Sequence, residues 1–465
     1  MNSTKRFIKT AGTYLVGNVL SKLVAVFLLP IYTAYLSPAE YGTYDVVISV
    51  LNLVMPIAFA QIWDGMYRFV FDCDKDDEKY GVVTNSLVVC AFGAALFTLV
   101  CLLAAPLMGD VWSPFMWLYG LTLSLQYEAS YMARSFFKNV LFSASGVANA
   151  FVSALLNIVL ICCCGWGVES IYLSASLGNI IQIAAICSNL KLHRNLDLAS
   201  VDRALIVRMV RFSIPLCLTA LTFWLFNGFT KVAISFYLGT SDNGLYGVVA
   251  RFTAAITMVA SVVQFAWNET SYLMAKDERR AAAYGSVCRL LLWVLLAAST
   301  VFPYAVKLVF PFFVAESYSA AASLLPAATV GVMLNSYASF LSTIFATEKT
   351  MSPILISTLV GAAVNIITTP LAITGFGLIG GIWALAASYA AMALLRVAAL
   401  RSRLSVSLGF RFLLPIAVMG VSYATFDSSL ISMQIGCLLL NLGLCTGFAV
   451  VEVKRSGLFH RKGEH

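Results

Sequence analysis

Residues 35–47, YLSPAEYGTYDVV, separate two long apolar runs with a short polar segment that contains Pro, Glu, Gly and Asp but no Lys or Arg. A similar segment, YLGTSDNGLYGVV, occupies residues 237–249. The two share their first Tyr-Leu pair, a glycine, a tyrosine and two valines in register. Because Pro, Gly and Asp favour turns, each segment predicts a tight turn between two apolar elements. The repetition predicts a chain built from two related halves.

The composition is that of a membrane protein. The chain is 60% hydrophobic and 11% charged, with a mean hydropathy of +0.87, whereas soluble domains carry about 25% charged residues. Apolar runs long enough to cross a bilayer, roughly 20 residues, recur from end to end. In lipid only helices and closed barrels satisfy the hydrogen bonds of the backbone N–H and C=O groups, and uninterrupted apolar runs favour helices. The sequence therefore predicts an all-α polytopic membrane protein.

Polar breaks divide the chain into about fourteen predicted transmembrane helices. The spans are roughly 10–36, 43–71, 81–108, 114–137, 141–164, 168–190, 210–238, 245–274, 285–310, 320–346, 352–373, 378–400, 410–427 and 429–452. All but four of the 30 Lys and Arg fall on or next to alternate breaks, beginning with the N-terminus. Since loops rich in Lys and Arg stay in the cytoplasm, both termini are predicted to be cytoplasmic. The exceptions are Lys22, Lys231, Arg251 and Lys307.

The repeat predicts two pseudo-symmetric lobes of six helices followed by two further helices. A second pair of segments supports it: LLNIVLICCCGWG (155–167) and AVNIITTPLAITGFG (363–377) each join an Asn-Ile step to a later Gly-x-Gly turn. The predicted N-terminal lobe is 1–190 and the C-terminal lobe 210–400, with the last two helices and a basic tail in 401–465. Residues 191–209 predict an amphipathic helix on the cytoplasmic surface, or alternatively a solvated basic linker. Parallel repeats of this kind place transport sites at the repeat interface.

Three segments resemble the Wzx-type flippases of prokaryotic polysaccharide biosynthesis. They are FLLPIYTAYLSPAEYGTYDVV (27–47), PYAVKLVFPFFVAESYSAAASLLPAATVG (303–331) and VNIITTPLAITGFGLIGGIWALAASY (364–389). The resemblance implies membership of the multidrug/oligosaccharidyl-lipid/polysaccharide (MOP) superfamily, with a MATE-like fold and alternating access. It also implies a multi-pass protein of the bacterial inner membrane that moves undecaprenyl-pyrophosphate-linked oligosaccharide units to the outer leaflet for surface polysaccharide such as O-antigen. A polysaccharide polymerase and chain-length proteins are the implied partners.

Cations inside the apolar runs are the first candidates for a substrate site. A Lys in mid-membrane costs roughly 2.5–3.5 kcal/mol on insertion scales, so it predicts function. Lys22 has Asn18 one helical turn before it, and Lys231 has Asn227 likewise in the other half. We expect these two pairs to bind the anionic pyrophosphate head group; snorkelling or pairing with an acid is the alternative. Arg251 is a further candidate, with an ion pair to Asp45 as its alternative role.

Polar residues near the inner ends of the second and eighth spans predict an inner mouth or gate. They are Gln61, Asp64, Arg68, Gln264, Asn268 and Glu269. Glu128, inside the fourth span, could carry a coupling proton, and either H+ or Na+ could drive transport. No organic cofactor and no metal are expected, because most of the 11 Cys lie in apolar runs without CxxC spacing.

Several classes of protein fit the sequence less well. The basic residues are too dispersed for a nucleic-acid surface. The segment GFGLIG (375–380) matches a dinucleotide fingerprint but links two apolar spans, so it predicts a tight turn and close helix packing. The sequence predicts no enzyme, although a membrane-embedded glycosyltransferase or ligase remains an alternative. Two further transport functions within the same superfamily stay open, namely a lipid II or sporulation-type flippase and a multidrug exporter.

Overall fold

A computed structural model describes residues 27–274, 280–404, 413–424, 426, 435–437 and 439–443. Within these residues every regular element is helical and no strand occurs. Nine of the described helices are long and apolar enough to cross a membrane. The predicted all-α, polytopic fold class is confirmed, and the helices follow predicted spans 2–12 in order. The chain divides into two compact units, Met1–Gly228 and Phe229–His465.

Unit 1 contains the first eight described helices and most of a ninth. Their bounds are α1 Leu29–Tyr35, α2 Pro38–Ala58, α3 Ile62–Val70, α4 Asp76–Met108, α5 Pro114–Ser135, α6 Asn139–Ile158, α7 Val168–Asn189, α8 Leu192–Asn195 and α9 Arg203–Leu238. Helix α5 packs on α3 and α7, and α7 packs on α6. The apolar core of unit 1 lies around Met55, Phe59 and Met66, which are almost completely buried.

Among the described residues of unit 2, the end of α9 is followed by five further α-helices with assigned bounds. These are α10 Thr240–Met274, α11 Arg280–Phe313, α12 Leu325–Thr347, α13 Ser352–Leu404 and α14 Leu413–Ala424. Helix α12 is the core element, because it packs on α10, α11 and α13 and most of its residues are buried. Helix α13 contains two predicted spans that meet at Gly377, whose φ of +63° is accessible to glycine without strain. A side chain at Gly380 would overlap the carbonyl of Ala372, so the predicted turn with close packing is confirmed.

Both repeated segments form the predicted turns. In unit 1, α1 ends at Tyr35 and Ser37 begins α2 with a capping box, in which the Ser37 and Glu40 side chains bind each other's backbone N–H. In unit 2, α9 ends at Leu238 and α10 begins at Thr240, with Gly239 between them at φ +100°. The same reversal is thus made by a capping box in one half and by a glycine in the other.

The second repeat is visible as a matching polar contact in each unit. Asn157 of α6 donates to the Tyr32 hydroxyl of α1 at 3.0 Å. Asn365 of α13 donates to the Thr230 hydroxyl of α9 at 3.2 Å. In both units the Asn of the Asn-Ile step ties its helix to the first helix of the repeat, and both side chains are buried. This shared contact supports the pairing of residues 155–167 with 363–377.

The segment 191–202 differs from the predicted amphipathic helix. It contains only the short helix α8 and a 3-10 turn, Leu198–Ser200, and α9 begins at Arg203. The cause is local: the Asp197 carboxylate accepts from the N–H of Ala199, and the Asp202 carboxylate from the N–H of Ala204. Such side-chain bonds to the backbone start new elements rather than continue an old one. The predicted lobe bounds stay a prediction.

The first part of α9 packs within unit 1. A side chain at Gly65 of α3 would overlap the Ser213 hydroxyl and press on the backbone carbonyl of Met209, so α3 and α9 approach closely here. Further along, Trp224 donates to the carbonyl of Ser49 in α2 at 2.7 Å. These contacts explain why the boundary between the two units falls inside α9, at Gly228.

Breaks assigned to the same side of the membrane meet in unit 1. On the predicted outer side, Ser113 donates to the Glu169 carboxylate at 3.1 Å. On the predicted inner side, Lys138 donates to the Asn189 side chain at 2.8 Å, and Tyr80 donates to the carbonyl of Leu190. The predicted alternation of the spans is therefore consistent with the packing of this unit.

Exposed thiols test the predicted orientation. Cys162, Cys163 and Cys164 have exposed side chains in the last turn of the predicted span 141–164, at its predicted outer end, whereas Cys73 lies in a predicted inner turn. In intact cells a membrane-impermeant maleimide is expected to label the protein, and the triple substitution of Cys162, Cys163 and Cys164 by Ser should remove most of that label. Burial, then the carboxylates of Glu78 and Asp72, raise the pKa of the Cys73 thiol, so Cys73 should label slowly even after permeabilisation. Unchanged surface labelling of the triple variant would contradict the orientation.

Candidate functional site

A break between α2 and α3 positions the first polar group of the predicted inner mouth. Ala60 and Gln61 both have left-handed backbone conformations, with φ of 50° and 46°. Non-glycine residues rarely adopt this conformation, and they often do so at functional sites. The break turns Gln61 toward Asp64 of α3, and its side-chain N–H donates to the Asp64 carboxylate at 2.7 Å. The side-chain Oε1 of Gln61 is buried and has no hydrogen-bond partner among the described residues.

Glu128 of α5 lies behind this pair. Its side chain is 1% exposed, and its Oε1 accepts a hydrogen bond from the Ser86 hydroxyl of α4 at 2.5 Å. Its Oε2 is buried without a hydrogen-bond partner among the described residues. The Cys90 thiol and the Asp64 carboxylate are the neighbouring titratable groups. An ionised carboxylate with only a hydroxyl and a thiol beside it as donors is costly to bury, so this arrangement fits a group that exchanges a proton.

Arg134 lies at the C-terminal end of α5, its predicted inner end, among aromatic rings. Its guanidinium carbon is 5.2 Å from the ring centre of Tyr67 and 5.1 Å from that of Tyr131. Such contacts stabilise a cation by about 0.5–2 kcal/mol. Asp64, Glu128 and Arg134 thus belong to one region where α3 and α5 meet.

A network of side-chain amides joins α5, α6 and α7. Gln126 and Asn149 both donate to the Gln182 side-chain carbonyl, at 3.0 and 2.8 Å. Asn149 also donates to Asn179 at 2.9 Å. This network was not predicted from the sequence, because its members lie far apart along the chain. The available signal was the Asn179–Gln182 pair, two amides three residues apart within an apolar run.

The remaining predicted residues lie elsewhere in the chain. Asn227 and Lys231 are one turn apart on the continuous helix α9, and the Asn227 amide donates to the carbonyl of Phe223. Gln264 of α10 donates to the carbonyl of Ser339 at 3.2 Å, and Arg251 is half-buried on the same helix. Arg68 forms an exposed ion pair with Asp72, which lies just beyond the end of α3. Asn18 and Lys22 lie outside the described residues, as do the side chains of Asn268 and Glu269.

One buried cation was not singled out from the sequence. Arg396 lies in the predicted span 378–400, inside α13, and is 4% exposed. Its partners are neutral oxygens of α12 and of the first arm of α13: Ser357 Oγ, Ala338 O, Ser342 Oγ and Thr358 Oγ1, at 2.6–2.9 Å. It was overlooked because an Arg near the end of an apolar run is typical of a membrane anchor.

Comparison with protein families identifies the chain. The model of the family described as "Polysaccharide biosynthesis protein" matches residues 7–267, more than half of the sequence. The chain belongs to this family. Comparison with curated proteins gives no match.

Solved structures show which fold this member of the polysaccharide biosynthesis protein family has. An inward-facing multidrug resistance MATE family transporter of the MOP superfamily aligns with a TM-score of 0.67 at 15% identity, over 83% of this chain and 94% of that one. The lipid II flippase MurJ in an inward closed conformation aligns with a TM-score of 0.66 at 13% identity, over 98% and 99%. A MOP superfamily transporter from Pyrococcus furiosus aligns with a TM-score of 0.57 at 15% identity, over 86% and 95%. The predicted MATE-like fold is confirmed.

Proposed function

We propose that the protein is a flippase that moves lipid-pyrophosphate-linked oligosaccharide units across the bacterial cytoplasmic membrane by alternating access, for surface polysaccharide such as O-antigen. The observation that carries the proposal is the combination of a polysaccharide biosynthesis family with a MOP transporter fold. In this proposal the protein performs no catalytic step. A polysaccharide polymerase and chain-length proteins would receive the exported units.

The charge within the spans favours an anionic substrate over the multidrug alternative. Lys231 lies well inside α9, whereas a cationic drug would require acids at such a position. We assign Lys231 and Asn227 to the pyrophosphate, with Lys22 and Asn18 as the equivalent pair and Arg251 as a later contact. A lipid II flippase would need similar electrostatics, so the glycan pathway has to be separated by experiment.

We also propose that the α3–α5 region couples transport to an ion. Glu128 is the candidate proton carrier, because its carboxyl is buried between α4 and α5 and the donors beside it, the Ser86 hydroxyl and the Cys90 thiol, are neutral. Gln61, Asp64 and Arg68, with Gln264, Asn268 and Glu269 in the other half, would line or close the inner mouth. Na+ coupling is the alternative to H+.

Removing the charge of Lys231 tests the proposed substrate. A hydrogen bond to a charged group contributes about 1.5–3 kcal/mol, which corresponds to about a tenfold to hundredfold change in affinity. In a deletion strain complemented with Lys231→Ala, surface glycan should fall by at least about tenfold, and lipid-linked units should accumulate on the inner leaflet. Lys231→Arg should keep part of the activity, because it keeps the charge.

Lys79→Ala is the matched control, since it removes one charge from the ion pair with Asp76 at the start of α4. It should leave surface glycan unchanged. Normal glycan in Lys231→Ala at wild-type protein level would contradict the pyrophosphate assignment. A deletion strain that loses external peptidoglycan precursor, and keeps its surface polysaccharide, would instead favour the lipid II alternative.

A further inference from the structure

One face of α5 is lined by tyrosines. Tyr119, Leu123, Tyr127 and Tyr131 recur every four residues, and Arg134 follows one turn later, so all five lie on the same side of the helix. Most other residues of α5 are buried or half-buried, yet Tyr127, near the middle of the helix, is 38% exposed. Tyrosines of membrane proteins normally gather at the interfaces rather than at mid-span. The position of Tyr127 therefore requires an explanation other than anchoring.

Helix α3 completes this face with two more aromatic residues. The rings of Trp63 and Tyr127 stack with their centres 5.5 Å apart and their planes 29° apart. Tyr67 meets Tyr131 edge to face at 5.6 Å. Trp63 itself is almost fully buried, so it supports the Tyr127 ring from behind. A ring held in this way loses little freedom when a ligand stacks on it.

Polar groups accompany the rings. Asp64 and Gln61 lie on the same helix end as Trp63, and the Tyr131 hydroxyl interacts with the Asp64 carboxylate. The Gln61 side-chain Oε1 is buried and lacks a hydrogen-bond partner among the described residues. Ionisable and amide groups at membrane depth face protein or water rather than lipid tails. This face is therefore unsuited to acyl chains.

Sugar rings match this combination of groups. A pyranose presents a face of C–H groups that stacks on aromatic rings, and a rim of hydroxyls that bind carboxylates and amides. We propose that the α3–α5 face holds a sugar ring of the transported glycan, with Tyr127 as the stacking surface and with Asp64 and Gln61 as hydroxyl acceptors. This inference rests on the proposed function and assigns the sugar portion to unit 1.

The test measures sugar binding directly. The probe is the oligosaccharide released by mild acid from the host's own polyprenyl-linked pool, added to the purified full-length protein in nanodiscs. Saturation-transfer NMR should show contact with the wild type. Tyr127→Phe keeps the ring and should bind comparably, whereas Tyr127→Leu should bind about fivefold more weakly, because an aromatic stacking contact contributes about 1 kcal/mol. Phe92→Leu is the control, since it removes an exposed aromatic ring of α4 that is not part of the α3–α5 face. It should bind like the wild type.

The outcomes separate this inference from the proposed function. Equal binding by Tyr127→Leu and wild type would overturn the sugar site. If the wild type still restores surface glycan in the deletion strain, the proposed flippase function would stand. A wild type that restores glycan but does not bind the oligosaccharide would also overturn the sugar site. A wild type that neither restores glycan nor binds the oligosaccharide would overturn both.

Discussion

Glu128→Gln is expected to abolish driven transport while leaving the folded protein intact. Gln has nearly the shape of Glu and keeps an oxygen that can accept from the Ser86 hydroxyl, but it cannot release a proton. If Glu128 carries the coupling proton, the substitution disconnects transport from the membrane potential. One charge moving through 100 mV contributes about 2.3 kcal/mol, so net accumulation of exported glycan should fall by about fiftyfold.

Transport in inverted vesicles with an imposed proton gradient measures this effect, and a thermal melt of the purified protein monitors its fold. The melting temperature of Glu128→Gln should stay close to that of the wild type. Glu169→Gln is the matched control, since Glu169 is an exposed acid at the start of α7; it should transport normally. Proton-driven transport by Glu128→Gln at the wild-type rate would contradict the assignment of Glu128 as the proton carrier. Transport that follows a Na+ gradient instead would favour Na+ as the coupling ion.

Glu128 also illustrates what the sequence could predict of the site. An acid within an apolar run can be recognised as a functional candidate from the sequence alone, because burying a charge there is costly. Its hydrogen-bond partner could not be predicted from the sequence. Ser86 is one of many small residues in α4, and it meets Glu128 only because α4 packs on α5. The amide network follows the same rule: Gln126 meets Gln182 only through the packing of α5 on α7.

The fold was more accessible than the site, because its signals are local. Turn chemistry at Ser37 and Glu40, and glycines at 239 and 377, determine where helices reverse within a few residues of chain. Segment 191–202 shows the limit of this approach. Its apolar residues follow a helical period, but two aspartates bind neighbouring backbone N–H groups and break the helix. Side-chain hydrogen bonds of this kind outweigh a weak period.

Arg396→Ala is expected to be the most destabilising single substitution proposed. The guanidinium donates four hydrogen bonds that join α12 to both arms of α13 across the Gly377 turn. Removing it eliminates all four bonds and leaves a cavity in the core of unit 2. Charged hydrogen bonds of about 1.5–3 kcal/mol each are partly offset because a costly buried charge disappears. The net loss should be roughly 3 kcal/mol, seen as a fall of several degrees in melting temperature.

The accompanying variants separate charge from geometry. Arg401→Ala removes an exposed arginine from the same helix and should melt like the wild type. Arg396→Lys keeps the charge but loses the planar fork, so one ammonium cannot reach oxygens on both α12 and the first arm of α13. It should therefore melt closer to Arg396→Ala than to the wild type. If Arg396→Lys were as stable as the wild type, charge alone would matter. If Arg396→Ala were as stable as the wild type, the four hydrogen bonds would contribute nothing net, and the packing of α12 alone would hold the two arms of α13 together.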